Sequence, residues 1–278
     1  MTLIEYFIKS PRSFFRYLSL GGRYRYYLKT LLQNNIENAG ELSKQILHGA
    51  SDEICFQYKG RDIFMKNEPG VVYYMTTGIR NLEQLVSKLT LPPRPLVIDA
   101  GGNVGLFTLF LKKRFPEAKV IILEPSESLN SILRKNLKPW ENDIKILPKA
   151  LTDQTGTVQF YINETAEQTN STDLSAVTPY AEGADNILKY EVESINLESL
   201  LQEHQIEKVD LLKLDIQGGE FTVLNSSIEQ FKKIDALLVE VSFISNDGVK
   251  ICGLITNHYP QYQVLGEVKM GADILFRK

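Results

Sequence analysis

A chain of 278 residues, 43% hydrophobic and 23% charged, has the composition of a folded protein and is long enough for one large α/β domain with an added segment. A net charge of −3 gives no whole-chain basic balance for general nucleic-acid binding. Cys55 and Cys252, the only cysteines, exclude a zinc cluster made of thiols alone and a disulfide framework, and they read as reduced, buried and structural.

Six basic residues, Lys9, Arg12, Arg16, Arg23, Arg25 and Lys29, face only Glu5 among the first thirty-two positions, and aromatics lie between them. The segment reads as short helices broken at Pro11 and at Gly21-Gly22. It acts either as a cap over the core or as a docking surface for an acidic carrier protein or an anionic membrane face. The arginines interrupt any signal-peptide pattern, and no apolar run can span a bilayer, so a cytoplasmic location is expected. Ile54–Tyr58 and Asp62–Met65 flank Lys59-Gly60 as a hairpin, Val71–Met75 reads as a third strand, and Asn81–Leu89 as a helix ended by a proline-rich linker.

From Leu96 the pattern becomes strands alternating with helices, which predicts a parallel sheet with right-handed crossovers. Strands are expected at Leu96–Asp99, Lys119–Glu124, Ile144–Leu147, Val209–Asp215 and Ala236–Val241. Helices are expected near Val104–Phe115, Ser128–Leu137, Glu220–Gln230 and Val249–His258. Gln263–Leu265 and Asp273–Phe276 are two closing strands. The polar stretch from Asn163 to Asn186 is too long for a simple connection and reads as a functional loop or lid.

The most informative stretch is Leu96-Val97-Ile98-Asp99-Ala100-Gly101-Gly102-Asn103-Val104-Gly105. A buried strand ends in an acid, passes a glycine turn and enters a helix, where free N–H groups and close backbone approach suit a ligand. The dinucleotide pattern G-x-G-x-x-G fails, because Asn103 and Leu106 hold its second and third glycine positions. Asp99 before the turn suits a cofactor bearing an ammonium group. Glu124, followed by Pro125 and Ser126, stands near the offset at which an acid takes ribose hydroxyls in nucleoside-binding α/β folds.

Together these motifs resemble the FkbM family of S-adenosylmethionine-dependent methyltransferases. Val97 to Gly105 looks like that family's glycine signature, with Gly102 in place of Ala. Glu124-Pro125 is similar to its acid-Pro pair. Ala150-Leu151-Thr152-Asp153 followed by Gly156 resembles its segment beside the adenine. Ile195 to Leu200 and Leu212 to Glu220 are similar to its two later elements, the second departing at Gln217, where the family usually carries Glu.

The resemblance implies a doubly wound Rossmann-like class I methyltransferase sheet, mostly parallel with an antiparallel strand near the C-terminus. Residues 91–278 would form the S-adenosylmethionine-binding domain and residues 1–90 a helical and β-hairpin extension, a substrate cap. The donor would lie on Asp99, Gly101, Gly102, Asn103, Gly105, Glu124, Pro125, Ser126, Ala150 and Leu151. Methylation is expected at a hydroxyl of a secondary metabolite, a polyketide or peptide product, or a sugar. The alternatives are N-methylation and a non-catalytic adenosyl-binding scaffold.

Acids and a lysine at strand ends complete the candidate set: Asp215, Glu240, Lys213 and Glu220. Lys213, inside an apolar strand, is either a base with a depressed pKa or the partner of an acid such as Glu220 or Glu240. This half also resembles the catechol-type methyltransferases, in which acids at corresponding strand ends hold magnesium. The favoured reading is metal-free, with Asp215 contacting donor or acceptor and Glu240 a buried, hydrogen-bonded acid. His48, His204 and His258 fall away from strand ends and read as surface or structural residues.

Overall fold

The computed structural model describes residues 20–49, 51–68, 71–163, 170–177, 187–242, 247–265 and 271–278. The chain forms two compact units, Met1–Arg80 and Asn81–Lys278.

In the first unit, α1 (Leu20–Gln33) and α2 (Ala39–His48) precede a two-stranded antiparallel sheet of β1 (Glu53–Tyr58) and β2 (Arg61–Lys66). Lys59 and Gly60 both have positive φ, 50° and 69°, the pair of left-handed residues that a tight hairpin turn demands. Asn38 joins α2 to the hairpin: its Nδ2 donates to Cys55 O at 2.9 Å and its Oδ1 accepts from Gln57 N at 3.0 Å. Leu31, Leu42, Phe56 and Ile63 are buried in this unit. Lys9, Pro11, Arg12 and Arg16 lie outside the described residues, whereas Arg23, Arg25 and Lys29 ride on α1. The expected break at Gly21-Gly22 is absent, and α1 runs through both glycines.

The strand expected at Val71–Met75 is helical instead. An α turn, Val71–Tyr73, passes through a π-helical Tyr74–Gly78 into α3 (Ile79–Lys88). The buried positions Val71, Val72, Met75 and Ile79 follow helical spacing, and Thr76 Oγ1 donates back to Val72 O at 2.7 Å. Residue type had suggested a strand, but the 3.6-residue burial period overrides β-propensity here.

The second unit contains a seven-stranded sheet in the order β11-β12-β10-β9-β3-β4-β5. Its strands are β3 (Leu96–Ala100), β4 (Lys119–Leu123), β5 (Ile144–Leu147), β9 (Leu211–Leu214), β10 (Ala236–Ser242), β11 (Gln261–Leu265) and β12 (Gly271–Arg277). β3, β4, β5, β9 and β10 run parallel, and β12 runs antiparallel to both β10 and β11. This is a doubly wound, mostly parallel sheet with antiparallel strands near the C-terminus. The strand order reverses between β3 and β9, so the crevice for a ligand opens beyond their carboxyl ends. Helices α4 (Leu106–Arg114), α5 (Glu127–Leu137), α7 (Leu197–Glu203), α8 (Glu220–Ser226) and α9 (Asp247–Thr256) connect the strands.

The helix ends have clear local causes. Ser126 caps α5, its Oγ accepting from Leu129 N, and Asn196 caps α7, its Oδ1 accepting from Ser199 N at 2.8 Å. Lys112 ends α4 from inside: its ammonium donates to Pro116 O, to Ala118 O and to Asp143 Oδ2 at 2.9 Å.

A second, three-stranded sheet was not foreseen. β6 (Ala150–Thr152), β7 (Gly156–Asn163) and β8 (Ile187–Asn196) pair in the order β6-β8-β7. Of the expected lid, residues 164–169 and 178–186 lie outside the described residues. Its middle is tied down: Tyr161 and Ser171 exchange backbone hydrogen bonds at 2.8 and 3.1 Å, and a short α6 (Leu174–Val177) buries Val177. Cys55 and Cys252 are free thiols, half-buried rather than buried. Among the described residues no helix is long and apolar enough to cross a membrane.

Candidate functional site

The glycine turn after β3 is shaped first by the protein's own packing. Gly101 and Gly105 have φ of 81° and 84°. A Cβ on Gly101 would stand 1.8 Å from the Asp215 carbonyl oxygen, and one on Gly102 would stand 2.2 Å from Ile122 Cγ2. Gly101, at positive φ and against backbone, therefore requires glycine even before a ligand enters, while a Cβ at Gly102 would need the Ile122 side chain to shift. The turn is fastened by Gly101 N and Gly102 N on Leu123 O, at 3.0 and 3.1 Å, and by Asn136 Nδ2 on Val104 O at 2.7 Å.

Glu124 follows β4 and is 5% exposed. Its Oε2 accepts from Asn103 N at 2.8 Å and its Oε1 from Ser126 N at 2.9 Å. Asn130 Nδ2 holds the Glu124 carbonyl at 2.7 Å. Burial pushes its carboxyl up to about 7, against the lowering effect of the Ser126 and Asn103 hydrogen bonds and of Lys213. Each carboxylate oxygen has two lone pairs, so one on each remains for a further donor. That pair of acceptors fits the two hydroxyls of a ribose. Ser126 is the cap of α5, and Ala150 and Leu151 are buried in β6.

Asp99 is not where the sequence reading put it. Its side chain is 0% exposed beneath the turn, with Oδ2 accepting from Thr108 Oγ1 at 2.8 Å and Oδ1 3.2 Å from Lys213 Nζ. It balances a buried lysine and cannot touch a ligand's ammonium. Lys213 in turn pairs with Asp99 and Asp215, at 3.2 and 3.4 Å, rather than with Glu220 or Glu240. It also donates to Gly101 O at 3.2 Å and stands over the Phe107 ring. Burial alone would lower its pKa, but the two aspartates hold it above the usual lysine range, so it stays charged and does not serve as a base.

Glu220 is likewise a structural acid. It is 6% exposed, and its two oxygens accept from Ile216 N and Gly218 N, each at 2.9 Å. It closes the turn after β9 by accepting from backbone amides two and four residues before it.

Asp215 and Glu240 do come together. Gln217, at φ 58°, donates its Nε2 to Asp215 Oδ1 at 2.8 Å and to Glu240 Oε2 at 2.7 Å. Burial would raise Asp215, but Lys213 and the hydrogen bonds from Glu240 and Gln217 keep it below the usual carboxylate range. Glu240 is exposed rather than buried, correcting the sequence reading. The charge of Asp215 is the main cause that lifts Glu240 well above the usual range, and the charges of Asp273 and Glu220 add to it. The two carboxyls therefore titrate as a pair, with Asp215 the more acidic. Asp273, opposite Glu240 in the β10–β12 register, joins the same row of acids. Burial, then the Asp215 charge, push it up to about 6. Asp273 was visible as part of a closing strand, but only strand register shows that it belongs here.

The two carboxylates do not fit a magnesium ion. The oxygens facing each other both accept from the Gln217 amide, and the second Asp215 oxygen faces Lys213. A cation between them would meet N–H hydrogens instead of lone pairs.

A cavity of about 360 Å³ reaches the same turn from the three-stranded sheet. Its lining includes Asp153, Gln159, Tyr161, Asp173, Gly218 and Thr222, and no Lys or Arg. His204 and His258 have other surroundings: His204 Nδ1 is 3.1 Å from Lys145 Nζ, and His258 packs edge-on against Phe231, while His48 ends α2 in the first unit.

A family model described as a methyltransferase FkbM domain matches residues 99–263, more than half of the chain. Methyltransferase sdnD of Sordaria araneosa is 31% identical over 163 residues, 50% of this chain and 63% of that protein. The chain thus spans less than two thirds of that relative's length. The 2-O-methyltransferase NoeI of Sinorhizobium fredii (strain NBRC 101917 / NGR234) is 23% identical over 214 residues, 73% of this chain and 86% of that one. The solved methyltransferase FkbM of Methylobacillus flagellatus KT superposes with a TM-score of 0.48 at 13% identity, over 92% of this chain and 59% of that one, too loosely to carry an argument. The chain belongs to the FkbM methyltransferase family.

Proposed function

We propose that this chain methylates a hydroxyl oxygen of a small or carrier-bound acceptor, with S-adenosylmethionine as donor. The observation that carries the donor assignment is Glu124: a buried carboxylate at the strand-order switch, oriented by two backbone N–H groups, with a lone pair left on each oxygen. The donor, when bound, supplies a sulfonium-activated methyl group. The glycine turn and Glu124 would hold its methionine and ribose parts, and Ala150 and Leu151 would border its adenine.

The protein's remaining task is alignment and proton removal. Proximity and orientation supply ~7–11 kcal/mol of such a barrier. Asp215, ionised and with 35% of its side chain exposed, is the group placed to accept the acceptor's hydroxyl proton. The cavity beside Gly218 and Gly219, which Leu151 also borders, suits the acceptor's body next to the adenine. Two aspartates, a tyrosine, a glutamine and threonine hydroxyls without a basic residue favour a neutral, hydroxyl-bearing molecule over an anionic one. The relative named a 2-O-methyltransferase agrees with transfer to oxygen. Secondary metabolites, polyketide or peptide products and sugars are the acceptor classes to try.

Calorimetric titration with S-adenosylmethionine and with NAD, followed by mass spectrometry of S-adenosylhomocysteine formation over an acceptor panel, tests the reading. Donor binding with O-methylated product is the expected result. Binding of NAD instead, or donor binding with no turnover on any acceptor, would point to a dehydrogenase or to an adenosyl-binding scaffold.

A further inference from the structure

Gln217 is the residue at which the chain departs from the pattern its sequence resembles, and its surroundings give the departure a physical meaning. Its backbone sits at φ 58°, a left-handed conformation that is strained for a residue with a side chain. Three bonds hold it there. Glu220 fixes the amides on either side, Ile216 N and Gly218 N, and Ser171 Oγ donates to Gln217 O at 2.5 Å. A turn this firmly held presents one group, the side-chain amide, with both of its hydrogens spent on Asp215 and Glu240. The orientation of the amide follows from chemistry, since two carboxyl oxygens that accept can face only its nitrogen.

We propose that Gln217 is a positioning residue that takes the place of a divalent cation. Its amide spans Asp215 and Glu240, keeps their facing oxygens in a fixed relation, and makes the pair independent of metal. The reading rests on Asp215 as proton acceptor in the proposed methyl transfer. Lys213 supports the arrangement from the other side, since an ammonium 3.4 Å from Asp215 repels a second cation. Replacing the amide by a carboxylate of the same length would put three acids around one point and remove both N–H groups. Hard cations take such oxygen-only sites.

The test is a manganese titration of the full chain, read by electron paramagnetic resonance, on wild type, Gln217→Glu, and Gln217→Glu with Asp215→Asn. Wild type is expected to show no saturable binding in the micromolar range. Gln217→Glu should bind one ion at least ~10-fold tighter, and the added Asp215→Asn change should abolish that gain. Stoichiometric binding by wild type that is lost in Asp215→Asn overturns the proposal, as does a folded Gln217→Glu that binds no better than wild type. Should Gln217→Glu fail to fold by circular dichroism, Gln217→Met decides. Its kcat should fall by ~10-fold or more with donor KM within about twofold, and added magnesium should not restore it. Retained kcat in this variant, or rescue by magnesium, overturns the idea. The cation titrations need no turnover, so absence of methyl transfer would sink the functional reading while leaving this one decided by binding alone.

Discussion

The two sides of the crevice hold their acids by different means. On the β3–β4 side, Glu124 is gripped by backbone amides of Asn103 and Ser126. On the β9–β10 side, Asp215 and Glu240 are held by side chains, the Gln217 amide and the Lys213 ammonium. Backbone amides leave a carboxylate oriented and open for a ligand's hydroxyls. Side-chain donors can be substituted one at a time, so that side is where the chemistry of a relative can diverge without altering the fold.

The largest expected break in this comparison is Lys213→Met. It leaves Asp99 wholly buried with its charge uncompensated, and removing one partner of such a pair costs ~3–5 kcal/mol. Urea denaturation should show the loss, and a change under ~1 kcal/mol would mean that the Lys213–Asp99 pair does not hold the fold together. Glu124→Ala comes next. It should weaken donor binding by ~1.5–3 kcal/mol in calorimetry, and unchanged affinity would remove the ribose assignment.

Glu124 also sets a pH dependence. Its raised value, about 7 against an ordinary 4.5, means that its contribution to stability is full below pH 4.5 and is lost as pH rises through 7. A ribose diol needs the ionised form, so donor affinity should rise between pH 6 and 8, with protons released at pH 6 on binding. Glu124→Gln should flatten that slope. A wild-type affinity with no slope across this range would show that the carboxyl is already ionised.

Smaller effects probe the turn. Glu220→Ala strips the acceptor from two backbone amides and should cost ~1–3 kcal/mol of stability, with kcat falling more than donor affinity. Ser171→Ala removes a single hydrogen bond to Gln217 O and should cost ~0.5–1.5 kcal/mol, seen as a small drop in melting temperature. A kcat loss in Ser171→Ala as large as in Glu220→Ala would mean that residues 170–177 take part in the site beyond holding the turn.

The sheet was legible because its strands announce themselves locally. Ile144–Leu147 matched residue for residue, and β3, β4 and β10 within a residue at an end. Buried parallel strands are nearly all apolar, and each is followed by a helix with its own signals. Val71–Met75 was misread because valine and tyrosine favour strands by type, while burial of Val71, Val72, Met75 and Ile79 follows the helical period. The three-stranded sheet escaped because β6 is only three residues long and β8 alternates weakly. At the site, Glu124 could be found from its offset to the glycine turn. The roles of Asp99, Lys213 and Asp273 could not, because each depends on which atoms of distant segments meet, and that of Glu220 depends on the local path of the turn at Ile216–Gly218. Asp99 lies opposite Lys213 and Glu240 opposite Asp273 only through strand register.

The place of β12 has a bearing on how the molecule comes apart. β11 pairs with β12 alone, and β12 in turn with β10, so the two outer strands reach the sheet through one line of hydrogen bonds. They should open as one cooperative unit in hydrogen exchange, below the free energy of global unfolding. Such an opening would carry Asp273 away from Glu240 and turn β10 into an edge. Leu237, Leu238 and Val239, buried in the closed sheet, would then lie on an unpaired strand, the kind of surface on which β-proteins aggregate.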